Sequence, residues 1–209
     1  MKLHGYFRSG AAYRVRIALN LKGLSVEHVT HHLRKGEQNA PSFLEMNPQG
    51  LVPALELDDG TVLTQSVAII EWLEETHPTP ALLPGDALHR ARIRAFALAI
   101  ACDVHPIQNL RVLNTVRDLT DDETSLAWAA RVNREGLAAC EKLAAGNPGP
   151  FVFGAAPTLA DVLLVPQLVN ARRFKVDVAA FPRLLAAETA MLALDAVKRA
   201  APDQQPDAE

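Results

Sequence analysis

The stretch Arg8-Ser-Gly-Ala-Ala-Tyr-Arg-Val-Arg-Ile-Ala-Leu19 decides how the chain is read. Before it, the short apolar stretch Leu3–Phe7 suits a strand. Ser9 and Gly10 follow, a capping residue and a permissive one. From Tyr13 the apolar residues recur at helical spacing, at Tyr13, Ile17 and Leu21, with Val15 and Leu19 beside them. Ser9 therefore stands at a strand-to-helix junction, at the positive end of a helix. Free backbone N–H groups and the helix dipole meet there, an environment that holds anions and lowers the pKa of a thiol. A serine at a helix start is also an ordinary cap. The rest of the chain has to decide between these readings.

Outward from this stretch, strand and helix alternate. Ala12–Lys22 reads as a helix stopped at Gly23, and Val26–His31 as a second strand. A short helix follows near Pro41–Met46. Val52–Leu57 and Val62–Thr64 read as two strands joined by the turn Asp58-Asp59-Gly60, which makes them an antiparallel hairpin. Ser66 is placed to cap a helix over Val67–Thr76, with apolar Ile69, Ile70 and Leu73. The order βαβαββα predicts a compact α/β unit with a mixed sheet over residues 1–80.

Pro78, Pro80, Pro84 and Gly85 mark residues 77–86 as a linker. Residues 86–209 then read as helical almost throughout. Leu88–Thr115 predicts one long helix kinked at Pro106, where the backbone donor is missing. Thr124–Ala145 is another, ended by Gly146-Asn147-Pro148-Gly149. Thr158-Leu-Ala-Asp161 reads as a capping box ahead of the apolar run Val162–Val169, which Pro166 is expected to disturb. Pro182–Leu194 is the last clear helical stretch. The polar tail Pro202–Glu209 is expected to fray.

Composition narrows the functional classes. Of 209 residues, 49% are hydrophobic and 22% charged, which suits a soluble protein with a real core. A net charge of -3 argues against nucleic acid and anionic membrane surfaces as partners. No secretory leader and no long uncharged apolar run is read, so a cytoplasmic location is expected. Cys102 and Cys140 lie far apart in apolar helical text and read as buried, reduced thiols. The histidines lack metal-ligand spacing, so no metal site is expected.

Two further stretches bear on chemistry. Val52-Pro53 opens a strand, where a cis proline would leave the Val52 backbone to pair with an extended peptide. An ordinary strand-start proline explains the same residue. Gln65-Ser66 opens a helix whose N–H groups would accept a ligand carboxylate as well as a cap.

Together, Ser9 near the first helix, Val52-Pro53, Gln65-Ser66 and Thr158-Leu-Ala-Asp161 resemble the glutathione transferases over essentially the whole chain. The zeta class is the most similar. It is carried by Arg8-Ser9 followed by Tyr13–Leu19, by Asn47-Pro48, by Gln65–Glu71, by Gln108-Asn109 and by Arg173-Phe-Lys-Val-Asp177. The resemblance implies an N-terminal thioredoxin-like domain, an all-α C-terminal domain and glutathione as cofactor. It also implies cis–trans isomerisation of a maleyl keto acid, a small dicarboxylate, by a homodimer.

The resemblance also assigns roles. Ser9 would hydrogen-bond the glutathione sulfur and keep it as thiolate. Val52 would pair with the cysteinyl backbone beside cis-Pro53, while Gln65 and Ser66 would hold the γ-glutamyl carboxylate and Gln49 would line the peptide. Asp103, His105 and Asn109 are further candidates for the cofactor site, Asp103 by reaching toward a partner subunit's ligand. Arg8, Arg111 and Arg173 would supply cations to the dicarboxylate, since guanidinium grips carboxylates bidentately. Solvated surface charge is the plainer reading of those three arginines.

The chain departs from the usual zeta pattern at Gly10-Ala11, where Ser-Cys is common, and at Tyr13, where Trp is common. Together with Arg111, the Gly10 pattern looks more like the branch that isomerises maleylpyruvate in gentisate catabolism. Maleylacetoacetate isomerisation, a conjugating or dehalogenating transferase and a non-catalytic regulator are the alternatives. A thiol–disulfide oxidoreductase is disfavoured, because Ser9–Ala12 contains no cysteine.

Overall fold

In a computed structural model describing residues 1–209, the apolar run at the chain's start becomes the inner strand of a four-stranded sheet. β1 (Lys2–Gly5) lies between β2 (Glu27–Thr30) and β3 (Ala54–Glu56), and β4 (Val62–Thr64) closes the order β2-β1-β3-β4. β1 and β2 run parallel, with Leu3 opposite His28, so a crossover helix must join them. That helix is α1 (Gly10–Leu21). β3 pairs antiparallel with β1, Leu55 opposite Leu3, and with β4, Leu55 opposite Leu63. The β3–β4 turn closes through Leu57 N–H to Thr61 O at 2.8 Å, with Gly60 at a φ of 86° that favours glycine. α2 (Pro41–Met46) and α3 (Ser66–Thr76) complete this part of the chain.

α1 is buried from Ala12 to Leu19, on nearly every face. It packs against α3 and against a helix from the end of the chain, α9 (Asp195–Ala200). The first compact unit is therefore Met1–Ala81 together with Ala193–Glu209, and the second is Leu82–Leu192. The last residues, read from sequence with the helical segment 86–209, lie with the sheet. Nor does the tail fray as expected. Gln205 is buried and its Nε2 donates to Arg199 O at 2.9 Å and Ala201 O at 2.8 Å, while Glu209 meets His32 Nε2 at 2.6 Å. These contacts give the polar tail partners that its composition does not reveal.

The second unit is all helix. α4 (Ala87–Leu98) runs into a π-helical turn, Ala99–Val104, and then a 3-10 turn, Pro106–Gln108. α5 (Leu110–Leu119) starts afresh. The long helix expected over 88–115 is thus broken rather than kinked. Pro106 cannot donate, and Asn109 ends the break by accepting Val112 N–H on its side chain at 3.1 Å. α6 (Asp122–Leu143), α7 (Leu159–Arg173) and α8 (Pro182–Leu192) follow.

α7 carries the expected capping device. Thr158 N–H and Oγ–H both donate to Asp161 Oδ2 at 2.9 Å, and Asp161 Oδ1 accepts Val152 N–H at 2.8 Å. Pro166 sits inside α7 without ending it. Every residue from Leu159 to Leu168 is buried, and that packing offsets the roughly 3 kcal/mol cost of an interior proline. Cys140 is buried, which pushes its thiol up to about 12. Cys102, expected to be buried, is exposed, on the π-helical turn whose buried residues are Ile100 and Val104. No helix is long and apolar enough to cross a membrane.

Candidate functional site

In the first unit, the residues singled out by sequence sit at the sheet's helix-bearing ends. Ser9 has extended backbone (φ -69°, ψ 114°) and is the N-cap of α1. Its N–H donates to Tyr6 O at 2.9 Å, and its Oγ accepts Ala12 N–H at 3.2 Å. The side chain is half-buried, and no acidic residue occupies the first turn of α1. The helix therefore brings no carboxylate of its own to its positive end, which has a hydroxyl at its mouth. Arg8, also half-buried, carries its guanidinium 5.9 Å from the centre of the Phe7 ring.

The Val52–Pro53 peptide is cis, and both residues are buried. The β1–β3 ladder begins only at Ala54, so the Val52 amide and carbonyl lie outside it. Asn47 shapes the approach. It is 2% exposed, its Nδ2 donates to Leu51 O at 2.7 Å, and its Oδ1 accepts Gln49 N–H at 3.2 Å. This side-chain turn explains why Asn47-Pro48 belongs to the pattern, a role that sequence reasoning left blank.

The cap of α3 lies one residue earlier than expected. Gln65, not Ser66, occupies the N-cap of α3, with φ 67° and ψ 116°, and its carbonyl accepts Ile69 N–H at 3.0 Å. A non-glycine residue at such a φ is held there by its surroundings and marks a functional candidate. Gln65 Nε2 donates to Gln49 Oε1 at 2.8 Å, which joins these two exposed side chains. Ser66 is the first helical residue, buried, with Oγ accepting from Arg14 NH1 at 3.4 Å. Arg14 itself is only 2% exposed. A buried guanidinium under a helix N-terminus reinforces an anion site. Sequence reasoning missed Arg14. The one signal was a charged residue on a helix otherwise apolar enough to be buried.

The other candidates belong to the second unit. Asp103 is exposed in the π-helical turn, and His105 is half-buried just beyond it. The Asn109 side chain caps α5, as described. Arg111 is exposed in the first turn of α5, and Arg173 is exposed at the end of α7, 4.8 Å from the Phe174 ring centre. No cluster of His, Cys, Asp or Glu could hold a metal ion.

The donor set of the first unit fits an extended peptide bearing a thiol and a terminal carboxylate. A hydroxyl at a helix N-terminus suits the sulfur. An unpaired strand start suits the peptide backbone. A second helix N-terminus, over Arg14, suits the carboxylate.

Known proteins share this fold. Residues 3–81 match the family model of the glutathione S-transferase N-terminal domain, and residues 128–187 that of the C-terminal domain. A maleylpyruvate isomerase from Ralstonia is 49% identical over 99% of both chains. The holo structure of a maleylpyruvate isomerase, a bacterial zeta-class glutathione S-transferase, superposes with a TM-score of 0.97 at 49% identity over all of both chains. A maleylacetoacetate isomerase from Methylobacterium extorquens, with malonate and glutathione bound, gives a TM-score of 0.96 at 42% identity, again over all of both chains.

Proposed function

The chain belongs to the glutathione S-transferase family, and on that premise we propose that it is a zeta-class, glutathione-dependent isomerase converting maleylpyruvate to fumarylpyruvate. The observation that carries this reading is the half-buried Ser9 hydroxyl capping the N-terminus of α1, in a chain so similar to maleylpyruvate isomerases. Bound glutathione supplies a thiolate nucleophile, which lets a cis double bond become single for long enough to rotate.

The chain's own residues do the rest. The Ser9 hydroxyl donates a hydrogen bond to the sulfur and keeps it anionic. The Val52 backbone, beside cis-Pro53, pairs with the cysteinyl residue. Gln65 and Ser66, above Arg14, hold the γ-glutamyl carboxylate, and Gln49 steadies Gln65. Arg8, Arg111 and Arg173 take the carboxylates and the developing enolate of the substrate. Asp103, with His105 and Asn109 near it, serves the cofactor of a partner subunit, so the working form is a homodimer. The setting is the cytoplasm, in gentisate breakdown.

Maleylacetoacetate is the second reading, favoured by the likeness to the Methylobacterium isomerase. The test is an assay of the purified protein on both keto acids with and without glutathione. Glutathione-dependent isomerisation of maleylpyruvate at the higher kcat/KM is expected. A higher kcat/KM on maleylacetoacetate transfers the assignment to the second reading. Activity on neither keto acid, with glutathione conjugation of other electrophiles intact, refutes both.

A further inference from the structure

The chain's last residues hold the loop that carries Ser9. The Phe7 peptide group is gripped from both sides. Its N–H donates to Asp207 Oδ2 at 2.9 Å, and its carbonyl accepts from Arg16 NH2 at 3.0 Å. Arg16 Nε in turn donates to Ala200 O at 2.9 Å, so the same side chain ties α1 to the end of α9. Phe7 is two residues before Ser9, whose own N–H closes the turn onto Tyr6 O. Asp207 and Arg16 thereby constrain the segment between the end of β1 and the first turn of α1.

Neither contact is incidental to the tail. Gln205 anchors it from the C-terminal end of α9, and Glu209 reaches His32, just past the end of β2. Arg16 is 4% exposed. Burial lowers its guanidinium to about 10, against the opposing charges of Tyr13 and Asp207. It stays a cation at neutral pH, and a buried cation of this kind holds its hydrogen-bond acceptors tightly. The titratable groups around this knot are Asp207 itself, Arg16 and Tyr13 from α1, His28 from β2, Tyr6 and Arg8 from the loop, and Arg34 and Glu209 beside Tyr6.

We propose that Asp207 and Arg16 are positioning residues for the Ser9 hydroxyl, and that the C-terminal tail is a strap completing the thiol-activating end of α1. This rests on the assignment of Ser9 to the sulfur. A misplaced hydroxyl would weaken its bond to the thiolate far more than it would weaken binding of the peptide, which other residues hold. The strap therefore acts on sulfur ionisation and kcat and leaves glutathione KM nearly untouched.

The test compares the wild-type chain with Asp207→Ala, Asp207→Asn and Ser9→Ala. It reads thiolate ultraviolet absorbance of bound glutathione against pH, together with kcat and KM. Asp207→Ala is expected to raise the pH at which the bound thiol ionises and to lower kcat about fivefold at neutral pH, with the loss shrinking as pH rises. Asp207→Asn keeps an acceptor for the Phe7 N–H and should recover most of that loss. A lowered melting temperature in Asp207→Ala with unchanged thiol ionisation and pH profile overturns the proposal. If Asp207→Ala does not fold, Arg16→Lys carries the same expectation, and unchanged ionisation there overturns it equally. Wild-type ionisation in Ser9→Ala removes the Ser9 reading itself, and the strap proposal with it. A change in Ser9→Ala with none in the Asp207 variants removes the strap alone.

Discussion

A hydroxyl has one proton to give and two lone pairs to offer. In Ser9 one lone pair already accepts the Ala12 N–H, which leaves the proton to be donated outward. Any serine cap keeps that proton, and the proposed catalytic role adds a sulfur to receive the hydrogen bond. Ser9→Ala should therefore cut isomerisation at least a hundredfold at neutral pH, while glutathione KM changes by only a few-fold. The loss should shrink at high pH, where the thiol ionises unaided. Loss of the cap costs roughly 1 kcal/mol besides, visible as a small drop in melting temperature. Substrate choice is argued at Arg111. Maleylpyruvate has a carboxylate beside its keto group, close to the reacting carbons, whereas maleylacetoacetate carries its second carboxylate further out. A third cation favours the more compact dianion, by about ten- to a hundredfold for one charge-assisted bond. Arg111→Ala should lower kcat/KM for maleylpyruvate by that factor and for maleylacetoacetate much less. Equal small losses on both would show Arg111 to be surface charge. The Ser9 cap and the cis Val52–Pro53 peptide were legible because each is written into the local chain. Arg14 was not, because its place beneath Ser66 depends on how α1 packs against α3. For the same reason Ser66 was mistaken for the cap that Gln65 provides.

At the scale of elements, the sheet and its hairpin follow from short apolar runs and turn residues, and the capping box of α7 from four consecutive residues. What local pattern could not supply was the outcome of competition between a proline and its surroundings. Pro166 is tolerated because α7 is buried on all sides, while Pro106 breaks a half-exposed helix and leaves Asn109 to start another. The sheet also carries a histidine pair, buried His4 on β1 and half-buried His31 just past β2, with a measurable consequence. His4 Nε2 meets Glu56 Oε2 at 3.1 Å, and His4 Nδ1 meets His31 Nε2 at 2.9 Å. With Glu56 accepting from His4, the neutral His4 ring accepts from His31. Burial, then the neighbouring His4, lowers the His31 pKa from its ordinary 6.5, and burial, then Arg16, lowers that of His28. The unfolded chain thus takes up these protons first. Their contribution is complete above pH about 6.5 and is lost as pH falls through that value toward the folded pKa. Glu56 is lowered by its bonds to His4 and Lys2, so its own contribution is lost only further down, through the carboxylate range. The melting temperature should fall between pH about 6.5 and 5. The fall should be smaller in His31→Gln, whose amide still donates to His4. Parallel curves for the two proteins would exclude His31 as a source of the slope.

Across the whole molecule, the sheet-bearing unit carries Ser9, Val52-Pro53 and Gln65-Ser66, and the helical unit carries Asp103, Arg111 and Arg173. The tail's return to the first unit was invisible in a polar segment read by composition alone, because its order comes from partners up to two hundred positions away, Asp207 on Phe7 among them. The remaining question is assembly. Asp103 and Cys102 are exposed on the π-helical turn, next to Leu98, which is 40% exposed, and Leu88 at the start of the same helix is 62% exposed. An exposed carboxylate beside apolar side chains, on the segment where the zeta resemblance places a residue reaching a partner's cofactor, is what a subunit contact requires. The chain should therefore sediment as a dimer at micromolar concentration, since an interface of ordinary size supports that affinity with room to spare. Charge placed in the apolar part, as Leu98→Glu, should shift the equilibrium toward monomer. In the dimer reading kcat/KM falls in proportion to the monomer fraction, and Asp103→Ala weakens glutathione binding in the dimer without dissociating it. Sedimentation as monomer alone, with full isomerase activity, would sink the dimer and Asp103's role together.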